Sequence, residues 1–244
     1  MYREYRPENL NPIIDAIWSS DSEIEPDKGH QAPPCVTSDL IIKLYQSDFE
    51  VILSGPMTQQ KSFPWVEGAH YFGIRFASGV GNLFREASLR ELVDSSAALN
   101  TLAGVDLSQL AEQLASSLSW EAQISVLTRS TQNLGVPNHR NHNVDYAKDI
   151  IHNTNGNVQI QELAKHIRIS QRHLERLFLN FTGLSPKKYC QIVRLNHFID
   201  LISSDRNQSL AKVAADCGFA DQSHLTQEFR NMMGQTPFAY LNNA

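Results

Sequence analysis

Part of the second half of this chain is written twice. Leu174, Phe178, Gly183, Pro186 and Tyr189 recur as Leu225, Phe229, Gly234, Pro237 and Tyr240, each 51 residues further on. Upstream of them, Ile160, Leu163 and Ala164 recur as Leu210, Val213 and Ala214, 50 residues on, so the second copy carries one extra residue in its turn. A repeated unit of this size has to be a supersecondary motif, and the period of its apolar residues says which. Spacing of three and four reads as helix, Ser170 and Asp221 read as N-caps, and the proline after each glycine reads as a fresh helix start. Each copy is therefore expected to be a short helix with a small alanine where its neighbour crosses, a tight turn, and a second helix packed on the first. The two units fall over about 160–181 and 210–233.

The second helix of each copy has two unlike faces. In copy one, Leu174, Leu177, Phe178 and Phe181 share one face, while Arg172, Arg176 and Leu179 point away, flanked by Glu175 and Asn180. In copy two, Leu225, Phe229 and Met232 are the inner residues, and Ser223, Gln227 and Arg230 face outward with Gln222 and Thr226 beside them. A helix that enters a major groove needs this division: one face fixed to a scaffold, the other offering side chains to base edges. Arg suits guanine O6 and N7, Gln suits adenine N6 and N7, and Glu accepts from cytosine N4. The candidate DNA-reading set is Gln171, Arg172, Glu175, Arg176, Gln222, Ser223, His224, Thr226 and Gln227, with Lys187 and Arg230 as phosphate contacts. An ordinary solvated helix face with i, i+4 pairing is the plain alternative. Two copies with matched turns weigh against it.

Between the copies, Pro186 opens a long helix over Lys187–Ser203, with Ile192, Leu195, Ile199 and Ile202 on its inner side. A rigid connector fixes the distance between the two outward faces. To enter one side of a duplex they must stand about 34 Å apart, one turn of DNA, and the DNA has to bend where they do not.

Upstream, residues 133–143 (NLGVPNHRNHN) have linker chemistry, rich in Asn, Gly and Pro. A short helix follows, defined by Val144, Ala147, Ile150 and Ile151 and ended by the Asn153–Gly156 turn. Before the linker, DLIIKLY, FEVILSG and HYFGIRFASG are strand-length runs separated by turn residues, so a small, mostly antiparallel sheet or half-barrel is expected from about Asp39 to Phe76. The spacing then turns helical over Leu83–Thr101 and Asp106–Thr131, with Asp106 as an N-cap. The stripe Leu107, Leu110, Leu114, Leu118 suits either packing on its own sheet or the seam of a homodimer.

Net charge alone misleads here. The chain of 244 residues has a formal net charge of −5, which argues against nucleic acid. Residues 1–143, however, hold 10 basic and 17 acidic side chains, and residues 144–244 hold 11 and 9. The acidity belongs to the first part. A helical half at only +2 has a weak general attraction for DNA and relies on base contacts and on avidity.

Other classes lack their signatures. The start, MYREYRP, has no apolar block after it, no run reaches the length of a membrane span, and Cys35, Cys190 and Cys217 form no CxxC, so a reducing cytoplasm is expected. The cysteines read as small buried apolar groups. His30, His70, His139, His142 and Cys35 raise a metal site, but the spacing lacks a metal-ligand pattern, and no metal or cofactor is expected. GxSxG, P-loop and HExxH are absent, and Gly73, Gly79 and Gly81 make no dinucleotide fingerprint.

Leu163-Ala164, Ser170-x-x-x-Leu174-x-Arg176-x-Phe178, Gly183-x-Ser185-Pro186-x-x-Tyr189 and Arg194-Leu195 form a pattern continued by Ala214-x-x-x-Gly218-Phe219-x-Asp221-x-Ser223-His224-Leu225-x-x-x-Phe229 and Gly234-x-Thr236-Pro237-x-x-Tyr240. Together they resemble the DNA-binding domain of the AraC/XylS family of bacterial transcriptional regulators, over about Val144 to Tyr240. The resemblance implies a seven-helix, two-lobed DNA reader whose outward residues fall where family members contact DNA. Gln227 stands where many members carry Arg, and His197 where they carry Ala. Less sharply, Tyr2-Arg-Glu-Tyr-Arg-Pro7, Asp39-Leu-Ile, Ser54-Gly-Pro-x-Thr58, Tyr71-Phe-Gly-Ile-Arg-Phe76 and Glu91-Leu-x-Asp94 are similar to a companion domain of some members. Such domains sense ligands or mediate dimerisation. Pro34-Cys-Val-Thr-Ser departs from the turn expected before the Asp39 strand.

The expected fold is α+β: an amino-terminal, mostly antiparallel β-sheet (a cupin-like half-barrel) with helices, then an all-α carboxy-terminal domain with two helix-turn-helix motifs. The expected division is 1–132, a regulatory, effector or dimerisation domain; 133–143, a linker; and 144–244, the DNA-binding domain. The expected function is sequence-specific transcriptional regulation responsive to a ligand, without enzymatic activity. Expected partners are double-stranded DNA, a small-molecule effector, a second copy in a homodimer and RNA polymerase, with no membrane. Two alternatives stay open for the first domain: a pure interaction module, or a metal-dependent cupin-like enzyme.

Overall fold

The computed structural model of the chain describes residues 2–6, 12–21, 30–46, 48–63, 66–79, 88–99, 102, 105–132, 134, 141–205 and 208–243. The chain divides into two compact units, one of residues 1–30, 37–55 and 62–140, the other of 31–36, 56–61 and 141–244. Most of the 133–143 linker lies outside the described residues.

The first unit is built on an antiparallel sheet of six strands in the order β1-β2-β7-β4-β5-β8. These are β1 (Tyr2–Tyr5), β2 (Ile14–Asp21), β7 (His70–Phe76), β4 (Ser38–Tyr45), β5 (Asp48–Ser54) and β8 (Ser96–Ala98), while β3 (His30–Ala32) and β6 (Lys61–Phe63) form a separate pair. The register puts Ile17, Ile74, Leu40 and Leu53 side by side across four strands, and all four are fully or almost fully buried. Alternation along each strand sends the next residues, Trp18, Gly73 and Ile41, to the other face.

Against the apolar face pack α2 (Leu107–Ala115) on β4 and α3 (Trp120–Gln132) on β2. Asp106 caps α2 as expected, its carboxylate accepting from the Gln109 N–H at 3.0 Å. Leu107, Leu110 and Leu114 of the leucine stripe are buried in the sheet's own core, whereas Leu118 lies beyond the helix end and is 99% exposed. The helix expected over 83–101 is much shorter among the described residues. Only α1 (Leu89–Leu92) is helical, Asp94 turns the chain at φ 57°, and Ser96–Ala98 become β8, because pairing with β5 satisfies their backbone groups.

The second unit carries α4 (His142–Asn153), α5 (Ile160–Ile167), α6 (Gln171–Thr182), α7 (Pro186–Ser204), α8 (Leu210–Asp216), α9 (Gln222–Met233) and α10 (Pro237–Asn243). The repeat is physical as well as sequential. Phe178 meets Tyr189 edge-on at 5.6 Å between ring centroids, and Phe229 meets Tyr240 at 5.7 Å. Ala164 and Ala214 are both buried, and Gly183 and Gly234 end α6 and α9 at φ 75° and 70°. The two short pieces of this unit are held by the paired backbones of Cys35 and Met57, by the Gln60 N–H on the Met232 carbonyl at 2.7 Å, and by Asn196 on the Pro34 carbonyl at 3.0 Å. Among the described residues, no helix is long and apolar enough to cross a membrane.

Candidate nucleic-acid interface

α6 is shaped by its ends. The Ser170 hydroxyl accepts from the His173 N–H at 3.2 Å, satisfying one of the orphan donors of the first turn, and Gly183 in the left-handed region closes the last. Leu174, Leu177, Phe178 and Thr182 are buried on its inner face. On the outer face Gln171, Arg172 and Arg176 are exposed and Glu175 is half-buried. Gln171 donates to Glu175 at 3.1 Å and Arg176 donates to His173 Nδ1 at 3.0 Å. Both bonds are at the surface, so exchanging them for bonds to a base edge costs little.

α9 repeats the plan with different chemistry. Asp221 caps it, accepting from the His224 N–H at 2.7 Å. Gln222, Ser223, Gln227 and Arg230 are exposed, Thr226 and His224 half-buried. The Thr226 hydroxyl donates to the Gln222 carbonyl at 2.8 Å, which leaves its oxygen as an acceptor. At the 51-residue offset, Ser223 replaces Arg172 and Gln227 replaces Arg176. The first helix therefore offers two guanidinium groups and the second an amide and a hydroxyl.

The extra residue of the second copy lies in the turn before α9. Arg168, left-handed at φ 63°, corresponds to Gly218 at φ 78°, and Ile169 N–H to Ala164 carbonyl corresponds to Phe219 N–H to Ala214 carbonyl. The insertion is thus Ala220, whose N–H would be left without a helical partner. His224 Nδ1 accepts it at 3.2 Å. That bond requires an unprotonated Nδ1 and turns the ring's other nitrogen toward Glu228 Oε2, 3.5 Å away.

Lys187 is exposed in the first turn of α7, where the Ser185 hydroxyl caps the helix by accepting from the Lys188 N–H at 3.2 Å. A helix N-terminus with a lysine is suited to a phosphate. The corresponding residue of the second copy is Phe238, 68% exposed and uncharged.

Glu228, which the sequence pattern does not mark, is buried on the inner side of α9 and takes two hydrogen bonds from Arg194 Nη2 and one from Gln191 Nε2. The only signal for it was Arg194 within the Arg-Leu pair.

The first unit has its own polar cluster on the sheet face opposite the core. Asp39 accepts from Trp18 Nε1 at 2.7 Å and from Arg75 Nε at 3.2 Å, and Arg75 Nη1 donates to Glu4 at 2.9 Å. Burial pushes the Asp39 carboxyl above its usual range, against the pull of Arg75. Burial acts the same way on Glu4, but hydrogen bonds from Tyr2 and Arg6 and the Arg75 charge outweigh it, and its carboxyl titrates lower than usual. Among the described residues no group of three or more His, Cys, Asp or Glu is placed to hold a metal ion; His139 lies outside them.

Residues 163–243 match a family described as a helix-turn-helix domain, and residues 3–113 match a domain of unknown function, DUF6597. The HTH-type transcriptional regulator ArgR of Pseudomonas aeruginosa is 32% identical over 76 residues, 31% of this chain and 23% of ArgR. The uncharacterized HTH-type transcriptional regulator YidL of Escherichia coli is 34% identical over 84 residues, 34% of this chain and 28% of YidL. The HTH-type transcriptional activator RhaS of Pectobacterium atrosepticum is 29% identical over 153 residues, 62% of this chain and 53% of RhaS. The chain thus spans well under two thirds of these relatives' lengths. Among solved structures, ToxT from Vibrio cholerae covers 99% of this chain and 98% of its own at 11% identity, with a TM-score of 0.47. Residues 163–243 thus form a helix-turn-helix domain of the AraC type, similar to that of these regulators.

Proposed function

We propose that the chain is a sequence-specific DNA-binding transcriptional regulator that reads two adjacent major-groove segments with α6 and α9, each the second helix of a helix-turn-helix motif. The carrying observation is the matched pair of capped helices, each buried on one side and bearing groove-reading side chains on the other. Gln171, Arg172, Glu175 and Arg176 read the first segment. Gln222, Ser223, Thr226 and Gln227 read the second, with His224 at its edge, and Lys187 and Arg230 hold phosphate. The domain boundaries in this reading are 1–132, 133–143 and 144–244.

In the same proposal the first domain is a regulatory half-barrel of cupin-like type, without enzymatic activity, that takes a small-molecule effector. The polar cluster of Trp18, Asp39, Arg75 and Glu4 supports this, since it gathers charged and hydrogen-bonding groups on the sheet face away from the core. Exposed Leu118 and the outer side of α3 are the surface for a second copy. The setting is the bacterial cytoplasm, with RNA polymerase as the further partner.

Binding to a pool of random duplexes tests the DNA reading: enrichment of a defined sequence is expected, and uniform recovery contradicts it. A metabolite screen by thermal shift tests the effector. Stabilisation by one compound class supports it, and a library that never raises Tm leaves the first domain an interaction module.

A further inference from the structure

We infer that Arg194 and Glu228 are positioning residues that fix the register of the second base-reading helix against the first. This rests on the DNA-reading proposal above and adds the device that sets the spacing of the two reading faces.

The observations converge on one turn of α7. Arg194 Nη2 lies 3.0 and 3.1 Å from the two carboxylate oxygens of Glu228 on α9, and Gln191 Nε2, one turn earlier, donates to Oε2 at 3.2 Å. The guanidinium carbon of Arg194 stands 4.8 Å from the centroid of the Phe219 ring, in the turn that leads into α9. His224 adds its Nε2 at 3.5 Å from the same carboxylate, while its Nδ1 holds the inserted Ala220. The side chains of Arg194 and Glu228 are 15% and 8% exposed, so solvent screens the pair little.

The other side of the same turn belongs to the first lobe. A Cβ on Gly156, in the α4–α5 turn, would lie 2.3 Å from the Cys190 carbonyl oxygen and 2.8 Å from the Arg194 nitrogen, so that turn is seated directly on α7. Cys190 to Arg194 is therefore the stretch of connector on which both lobes are referenced.

Copy one needs no such device. Buried Leu177 stands where copy two has Glu228, and apolar packing holds its helix. A buried ion pair contributes little net stability over an apolar pair of similar volume, but it is directional, and its best-attested use is to fix register. Holding Glu228 on Arg194 fixes the rotation of α9 about its axis, and with it the direction of the adjacent Gln227 and of Ser223 and Arg230, at 100° per residue.

The test uses the full chain and the duplex it selects from a random pool. Affinity is measured for that duplex and for versions with one base pair inserted or removed between the two blocks, together with Tm. The wild type is expected to lose on the order of tenfold when the spacing changes, because both blocks can no longer be engaged together. Glu228→Gln and Arg194→Met are expected to cut that penalty to about threefold or less, with affinity for the first block alone unchanged. Should either variant fail to fold, Gln191→Ala, which leaves the ion pair in place, is expected to reduce the penalty in part. Folded variants that keep the full penalty overturn the inference, as does a wild type indifferent to spacing. A wild type that selects no sequence overturns the DNA reading itself.

Discussion

The indole of Trp18 on β2 lies over Gly73 of β7, its cross-strand partner, so closely that a Cβ at residue 73 would come within 1.9 Å of the ring. The glycine is therefore the seat of the tryptophan, and the tryptophan in turn brings its Nε1 to Asp39. Gly73→Ala is expected to displace the ring and destabilise the first unit by about 1–3 kcal/mol, as overpacking does. Urea unfolding followed by tryptophan fluorescence checks this, and an unchanged midpoint contradicts it.

The caps of α6 and α9 carry the second prediction. Ser170→Ala and Asp221→Ala each remove a side-chain acceptor from a helix N-terminus, and each is expected to cost about 1 kcal/mol. Replacement by Asn or Ser should recover most of it, as read from thermal unfolding.

Thiol chemistry supplies a third. Burial pushes the thiols of Cys190 and Cys217 up to about 11. Near pH 7.5 both are protonated and sheltered, so iodoacetamide is expected to label Cys35 first and the other two only after unfolding. The sign for stability follows: the folded state holds these groups neutral, so stability is unaffected below the ordinary thiol range. It falls as pH rises toward 11, where unfolded thiols ionise and folded ones resist. Mass mapping of labelled peptides across pH decides the matter.

How much of this was legible in the sequence differs between the halves. The helices after the linker could be read because a repeat checks itself: Ser170 against Asp221, Gly183 against Gly234, Pro186 against Pro237. Even the single inserted residue was visible as a change of offset, although only the backbone bonds of Ile169 and Phe219 place it at Ala220. β2 was not legible, because a register shift between Ile14 and Ala16 breaks the alternation that marks a strand, leaving Ala16 and Ile17 both buried. β8 reads Ser-Ala-Ala, which has no strand propensity of its own and is decided by pairing with β5. Glu228 is hidden in the sequence for a different reason. A charge on a helix reads as exposed unless its buried partner, here Arg194 a helix away, is known.

Within the proposed reading face, base and backbone contacts should separate by experiment. Arg176→Ala is expected to cost about 1–3 kcal/mol on the selected duplex and to relax preference at one position. Lys187→Ala should instead weaken binding to every sequence alike and lower the salt dependence, the outcome expected of the proposed phosphate contact. Fluorescence anisotropy across a salt series distinguishes them.

The central claim is that α6 and α9 read different, neighbouring stretches of one duplex. Random-duplex selection carried out in parallel with the wild type, Arg176→Ala and Gln227→Ala tests it most directly. The account predicts two enriched blocks about 10 base pairs apart in the wild type, with Arg176→Ala degrading one block and Gln227→Ala the other. Enrichment of a single block, degraded alike by both substitutions, would contradict it.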